Sequence, residues 1–240
     1  MAPVVSVEAL RKRYRRRDPW AVDGVTFALE PGQAFGLLGP NGSGKTSVVK
    51  MIAGLLRPDG GDITLFGSKP GDPAARAQLG FAPEDPDFPK FLRAREVLDY
   101  FASLLGLDED DRKRRIPETL AFAGLDQEKR QVRQFSKGMK QRLGIAQAIL
   151  GRPKLLILDE PTAALGVVQT KNVLQSIKRV RDKGIAVVFI SHSMPHVLDV
   201  CDRIQVLRLG KRVATYPQQS TVEELVGAMT GALDSREGAA

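Results

Sequence analysis

Disulfide chemistry has almost no material in this chain: its 240 residues contain a single cysteine, Cys201. A disulfide framework is excluded, and a reducing compartment is expected. Long hydrophobic runs are missing as well. None approaches the ~18 residues that a membrane helix needs, and the longest, such as Ile185–Ile190, fit buried strands. The opening MAPVVSVEAL carries Glu8 and no extended apolar stretch after a basic start, so it does not read as a secretory leader. The expectation is a chain neither secreted nor membrane-spanning, able to sit on a membrane only through a partner. Internal repeats and low-complexity linkers are absent too.

What is present is globular. Hydrophobic residues make up 42% and charged residues 27%, the balance of a folded chain rather than a disordered one. The length is enough for one large domain or two small ones around a buried core. The formal charge is +8, and its excess is clustered. Arg11, Lys12, Arg13, Arg15, Arg16 and Arg17 surround Tyr14, and Arg112, Lys113, Arg114 and Arg115 form a second group. Solvated surface is one reading; nucleic acid, an anionic lipid surface or a nucleotide phosphate are the others. No RNA-binding or zinc-finger spacing accompanies the clusters.

Hydrophobic patterning predicts short strands at Val4–Glu8, Val25–Leu29 and Ala34–Leu38. A helix is expected over Lys45–Leu56, with Val48, Val49, Ile52 and Leu55 on one side, then a strand at Ile63–Phe66. From about residue 90 to 150 the pattern turns helical, with amphipathic stretches at Glu96–Leu105 and Lys140–Leu150. Strands return at Leu155–Leu158 and Ala186–Ile190, each followed by a polar turn and a helical pattern. That alternation implies a largely parallel sheet flanked by helices. Gln205–Thr215 reads as a hairpin turning at Gly210. Ser220–Thr230 reads as a short helix with Ser220 and Glu223 in a capping box. Residues 1–233 are expected to form one domain, with 234–240 a frayed tail.

Two motifs carry chemistry. Gly39, Pro40, Asn41, Gly42, Ser43, Gly44, Lys45 and Thr46, followed by Ser47, match the phosphate-loop pattern GxxxxGK(S/T) between a predicted strand and a predicted helix. Glycines let the backbone curl with its N–H groups inward, and those donors cradle phosphate oxygens. The helix adds its positive end. Lys45 is expected on the β- and γ-phosphates and Thr46 on Mg²⁺. The second motif is Asp159-Glu160, directly after the four aliphatics Leu155–Leu158. Carboxylates at the end of a buried parallel strand stand at the ligand edge of the sheet. Asp159 is expected to hold the metal and Glu160 to orient or deprotonate water. The competing reading is an N-cap for the next helix.

Together these pieces resemble the ATP-binding-cassette (ABC) ATPases. Phe135-Ser136-Lys137-Gly138-Met139-Lys140-Gln141-Arg142 looks like the family signature, and Ser191-His192 like its switch histidine. Tyr14 stands where the family places an aromatic on adenine, with Trp20 a rival. The resemblance spans about Val4–Val213. It implies a P-loop NTPase of the α/β class: a RecA-like core with an antiparallel β-subdomain and an α-helical subdomain. ATP and Mg²⁺ are the implied cofactors. Lys45, Thr46, Asp159, Glu160 and His192 would act in cis, and Ser136 and Gly138 on ATP held by a second nucleotide-binding domain. Transmembrane permease subunits are the implied partners, the cytoplasmic face of the cell membrane the implied location, and nucleic acid is not expected.

Departures from the family pattern are Lys137, where a second glycine is usual, and Glu84, where the glutamine loop should follow the Leu79–Ala82 strand. A carboxylate there accepts from water or approaches Mg²⁺, but does not donate as an amide does. Ala163-Ala164-Leu165-Gly166 replaces a loop ending in Leu-Asp. Residues up to about Asp159 resemble single-cassette exporters of the ABC-2 type. From about Pro161 they resemble ribose- or fructose-type sugar-importer cassettes, in which Leu-Gly is ordinary. The leading expectation is the ATPase subunit of a membrane transporter. The rivals are a soluble ABC protein acting on nucleic acid or ribosomes, and a cassette with impaired turnover.

Overall fold

A computed structural model describes residues 2–163 and 165–232. The expected tail at 234–240, and Ala164 within the loop after Thr162, lie outside the described residues. Two sheets organise the chain. The smaller is antiparallel, in the order β2 (Val22–Leu29), β1 (Val5–Lys12), β4 (Gly60–Leu65). The larger has the order β5 (Leu79–Ala82), β6 (Leu155–Asp159), β7 (Ala186–Ile190), β3 (Ala34–Leu38), β8 (Arg203–Arg208), β9 (Lys211–Pro217). All its pairings are parallel except the terminal β8–β9 hairpin. The three central strands β6, β7 and β3 are buried at every position, as a sheet covered on both faces demands.

One core lies between the two sheets and helix α1 (Lys45–Ile52), with Phe27 stacked on Phe35 at 4.7 Å. A second lies on the opposite face of the large sheet, beneath α6 (Val167–Asp182), α7 (Met194–Val200) and α8 (Val222–Thr230). A third belongs to the helical unit. There α3 (Ala94–Leu104), α4 (Glu109–Phe122) and α5 (Lys137–Ile149) bury Val97, Leu98, Ile116, Leu120 and Leu143 against one another. The short α2 (Pro73–Arg76) precedes β5 and is capped by Asp72, whose carboxylate accepts from the Ala74 N–H.

Three expectations are corrected. Helix α1 stops at Ile52 because Gly54 turns left-handed at φ +69°, so Leu55 leaves the buried face and is exposed. The capping box of α8 is Thr221 with Glu224, not Ser220 with Glu223. Both pairs have the required spacing, but the Ser220 N–H is already committed to the Pro217 carbonyl. Strand β1 runs on to Lys12, past the predicted end at Glu8.

The second basic cluster is ion-paired throughout and the first only in part. On α4, Arg114 and Arg115 both reach Asp111, at 2.5 and 2.6 Å, and Lys113 reaches Glu109 at 2.7 Å. Asp111 is held below the usual carboxylate range, chiefly by the Arg114 hydrogen bond. Near the N-terminus Arg11 pairs with Asp23 and Lys12 with Asp59, while Arg13 lies 4.6 Å over the Trp20 ring.

The helical unit is joined tightly to the large sheet. A Cβ on Gly80 of β5 would sit 2.2 Å from the Ala148 carbonyl oxygen of α5, whereas one on Gly71 would meet open space. Gly80→Ala should therefore cost about 1–3 kcal/mol, as overpacking does. Gly71→Ala should stay within about 0.5 kcal/mol. Denaturant midpoints at constant slope compare the two; equal midpoints would rule out the close approach.

Candidate functional site

The parallel strands end at one edge of the large sheet, and the segments leaving those ends build the site. After β3 comes the loop from Gly39 to Gly44, which turns into α1. After β6 come Asp159 and Glu160; after β7, Ser191 and His192; after β5, Glu84. Because β5, β6, β7 and β3 are successive neighbours in the sheet, segments far apart in the chain arrive side by side, about 4.8 Å per strand. They line one cavity of about 350 Å³, together with Tyr14, Ala21, Asn41, Thr46, Ser47 and Ile190.

The loop needs its glycines for two reasons. Gly39, at φ +157°, lies so close to β8 that a Cβ would meet the Leu207 carbonyl oxygen at 2.2 Å. At Gly44, φ +99°, a Cβ would meet the Ala21 carbonyl oxygen at 2.3 Å. Gly42 is also left-handed, with open space around it. The Lys45 ammonium donates to the Gly39 carbonyl at 2.7 Å and the Pro40 carbonyl at 3.1 Å. Burial lowers its pKa, while Glu160, Asp159 and Glu84 pull the other way. Ser43 Oγ is buried with no hydrogen-bond partner among the described residues. The loop thus holds a cation and an uncommitted hydroxyl in a curl that a phosphate chain would fill.

Across the cavity, Asp159 is pushed up to about 6, first by burial and then by Glu160 and Glu84. Glu160 adopts φ +48°, left-handed backbone that ordinary side chains avoid. Such a conformation costs of order 1–3 kcal/mol and needs support from its surroundings. That support is visible. The Glu160 N–H donates to the Ile190 carbonyl at 3.0 Å, and Oε2 accepts from Ser191 Oγ at 3.2 Å. The same oxygen lies 3.0 Å from Nδ1 of His192, whose side chain is 68% exposed. Thr162 Oγ1 and His196 Nδ1 share a 3.1 Å hydrogen bond that ties the following loop to α7. Burial lowers the His196 pKa and keeps that ring neutral near pH 7.

Tyr14 lies at the cavity's rim, its hydroxyl 2.8 Å from Ser47 Oγ and the residue 62% exposed. Trp20 does not line the cavity; its ring faces Arg13 and Arg11 instead. Ser136 and Gly138 are elsewhere, at the start of α5, where Ser136 Oγ accepts from the Met139 N–H at 3.2 Å. Sequence reasoning misses Ser191 as a site residue; a serine beside a histidine at a strand end is its only signal. It misses Gln141 too, which is buried on α5 and donates to the Pro83 carbonyl at 3.5 Å, next to Glu84.

The oxygen-rich set of Thr46, Asp159 and Glu84 suits a hard divalent cation. No group of three or more acidic, histidine or cysteine residues forms a closed metal cage among the described residues. Mg²⁺ asks for none, since it is usually held by one or two carboxylates together with substrate phosphates and water.

A phosphate loop, an acidic pair and a histidine on neighbouring strand ends of a parallel sheet define a P-loop nucleotide-binding ATPase cassette. The chain matches the ABC transporter family over residues 22–163 and belongs to it. It is 40% identical over 190 residues to an uncharacterised ABC transporter ATP-binding protein of Synechocystis, covering 78% of this chain but 54% of that protein's length. It is 35% identical over 214 residues to the linearmycin resistance ATP-binding protein of Bacillus subtilis, covering 88% of this chain and 68% of the relative. A solved ATP-binding subunit of an ABC transporter superimposes with a TM-score of 0.84 at 28% identity, over 95% of this chain and 99% of that one. No helix among the described residues is long and apolar enough to cross a membrane.

The raised pKa of Asp159 has a signed consequence. The folded protein holds a proton on Asp159 up to about pH 6 that the unfolded chain releases near 4, so stability falls as pH rises from about 4 to about 6 and the full cost stands above that. Asp159→Asn should raise the melting temperature at pH 7.5 in chelator and reduce the gain the parent shows on acidification to pH 5.5. Thermal unfolding at the two pH values measures both; an unchanged difference between them would remove Asp159 as the titrating group.

Proposed function

We propose that this chain is the ATP-hydrolysing subunit of a membrane transporter, working as a pair of cassettes on the cytoplasmic face with separate permease subunits. The observation that carries the reading is the Glu160 carboxylate, held in left-handed backbone by Ile190, bonded by Ser191 and paired with His192, beside a phosphate loop. A structural N-cap needs no such support.

ATP enters with its phosphates in the curl from Gly39 to Thr46. Lys45 leaves the carbonyls of Gly39 and Pro40 and moves onto the β- and γ-phosphates. Tyr14 stacks on the adenine, its ring steadied by Ser47. Thr46, Asp159 and Glu84 would hold Mg²⁺, which would supply charge neutralisation at the phosphates. Glu160 orients a water against the γ-phosphorus and accepts its proton. The new P–O bond forms as the bond to the β-phosphate oxygen breaks, giving ADP and inorganic phosphate. His192 holds Glu160 and reaches toward the γ-phosphate. Ser136 and Gly138 act on the nucleotide of a second copy, so that ATP closes the pair and hydrolysis reopens it. Glu84, linked to α5 through Pro83 and Gln141, passes the change to the permease. Likeness to a resistance protein supports outward transport.

Glu160→Gln should bind ATP as the parent does, lose turnover by about 10²-fold or more, and elute as a dimer with ATP and Mg²⁺. Phosphate release and size-exclusion chromatography read this out; parental turnover sinks the base assignment. Lys45→Ala should weaken ATP binding at least ~10-fold, the loss of a charge-assisted contact, in a fluorescent-nucleotide titration. Unchanged affinity would take Lys45 off the phosphates.

A further inference from the structure

Two side chains near Glu160 have no part in the chemistry described above. Ser191, just past the end of β7, is wholly buried. Its Oγ accepts from the Ser193 N–H at 3.1 Å, which leaves its own proton for Glu160 Oε2 at 3.2 Å. A carboxylate only accepts, so the serine is the donor in that pair. His196 stands further along, half-buried on α7 and outside the lining of the nucleotide cavity. Its Nδ1 meets Oγ1 of the buried Thr162 at 3.1 Å.

These contacts hold Glu160 at two different points. Left-handed backbone at φ +48° persists only where its surroundings over-determine it. Before the bend, the Glu160 N–H is tied to the Ile190 carbonyl. After it, the Ala163 N–H returns to the Glu160 carbonyl at 3.0 Å, and the Leu165 N–H to the Thr162 carbonyl at 3.3 Å. Both of those bonds are local to the turn. His196 is what fastens the turn to another element, through Thr162. Without it the turn is free to relax the strain, and the carboxylate swings with the backbone. At the side chain, Ser191 and His192 both meet Oε2, whereas Oε1 accepts no hydrogen bond among the described residues.

We propose that Ser191 and His196 are positioning residues for Glu160. Ser191 fixes the carboxylate and His196 fixes the backbone that carries it, so that Oε1 is the oxygen turned to the water and the one that takes its proton. Neither residue touches the nucleotide. The proposal rests on the reading of Glu160 as the base, and it adds which oxygen acts and what holds it in place.

The test is steady-state phosphate release by the full chain with ATP and Mg²⁺, alongside a fluorescent-nucleotide titration. Thr162→Val removes the hydroxyl at nearly constant volume, and His196→Leu removes its partner. Each should lower kcat about 10-fold, the scale of a small misplacement of a reacting group. KM and nucleotide affinity should stay within about 2-fold, because ground-state binding is untouched. The double variant should be no slower than the slower single one, since both remove the same bond. His196→Asn keeps a polar atom where Nδ1 stands and should recover most of the lost kcat. Ser191→Ala should lower kcat in the same way, and Ser191→Thr should restore it. Parental kcat in Thr162→Val and Ser191→Ala, additive losses in the double variant, or a loss that falls on KM instead would each overturn the proposal. Those outcomes leave the base assignment standing if Glu160→Gln is inactive. Parental turnover in Glu160→Gln would remove that assignment, and this proposal with it.

Discussion

Three carboxylates facing one ammonium across the phosphate-loop cavity is the constraint on which the rest of this molecule turns. Glu84, Asp159 and Glu160 gather around Lys45, and the burial of Asp159 and Glu160 strengthens the repulsion between that pair. The chain accommodates the crowding in two ways. Asp159 keeps a proton up to about pH 6. Lys45 turns its hydrogen bonds to the carbonyls of Gly39 and Pro40 within the loop. Both accommodations are suited to reversal by the same ligand. A divalent cation favours ionised Asp159, and a phosphate chain gives Lys45 a better acceptor than a carbonyl.

That crowding exists because sheet order differs from chain order. β3 lies early in the sequence, yet it sits between β7 and β8. The helical unit enters between β5 and β6, which are sheet neighbours, so a large insertion leaves the edge intact. Right-handed crossovers place each connection on a face and leave the strand ends free for loops. The insertion is nonetheless not loosely attached. Gly80 lets the α5 backbone lie directly on β5, and Gln141 reaches the loop that carries Glu84. A shift of α5 therefore bears on Glu84 through packed atoms rather than through a flexible linker.

The parts legible in the sequence are those with local causes. Glycine spacing marks the loop, four aliphatics before two acids mark β6 and its acidic end, and period-two and period-four patterns mark most elements. Errors arise where a local rule has two solutions, as with the overlapping boxes at Ser220 and Thr221, or where one glycine ends a periodic run early, as at Gly54. Long-range partnership stays hidden. Nothing near Arg11 or Lys12 announces Asp23 or Asp59, so part of what looks like a field of free charge is ion-paired. Ser191 supporting Glu160, and His196 meeting Thr162, depend on β6 and β7 being adjacent. That adjacency belongs to the sheet, not to any window of sequence.

The position of the signature obeys the same logic one level higher. Ser136 caps its own helix, and the first turn of α5 holds Lys137 and Lys140 with no acidic residue. This is a helix start with its positive end uncompensated, the local chemistry of a phosphate site. Yet Ser136 and Gly138 do not line the cavity that holds the phosphate loop. Under the proposed reading the chain carries two half-sites for one kind of ligand and does not itself bring them together. Under the proposed reading, a head-to-tail pair satisfies both at once, each α5 facing the other copy's loop. A two-fold arrangement uses the same pair of surfaces twice, so closing one nucleotide site closes the second. The nucleotide is then the adhesive of the pair, and breaking its terminal bond weakens the interface at the moment that transport requires it to open.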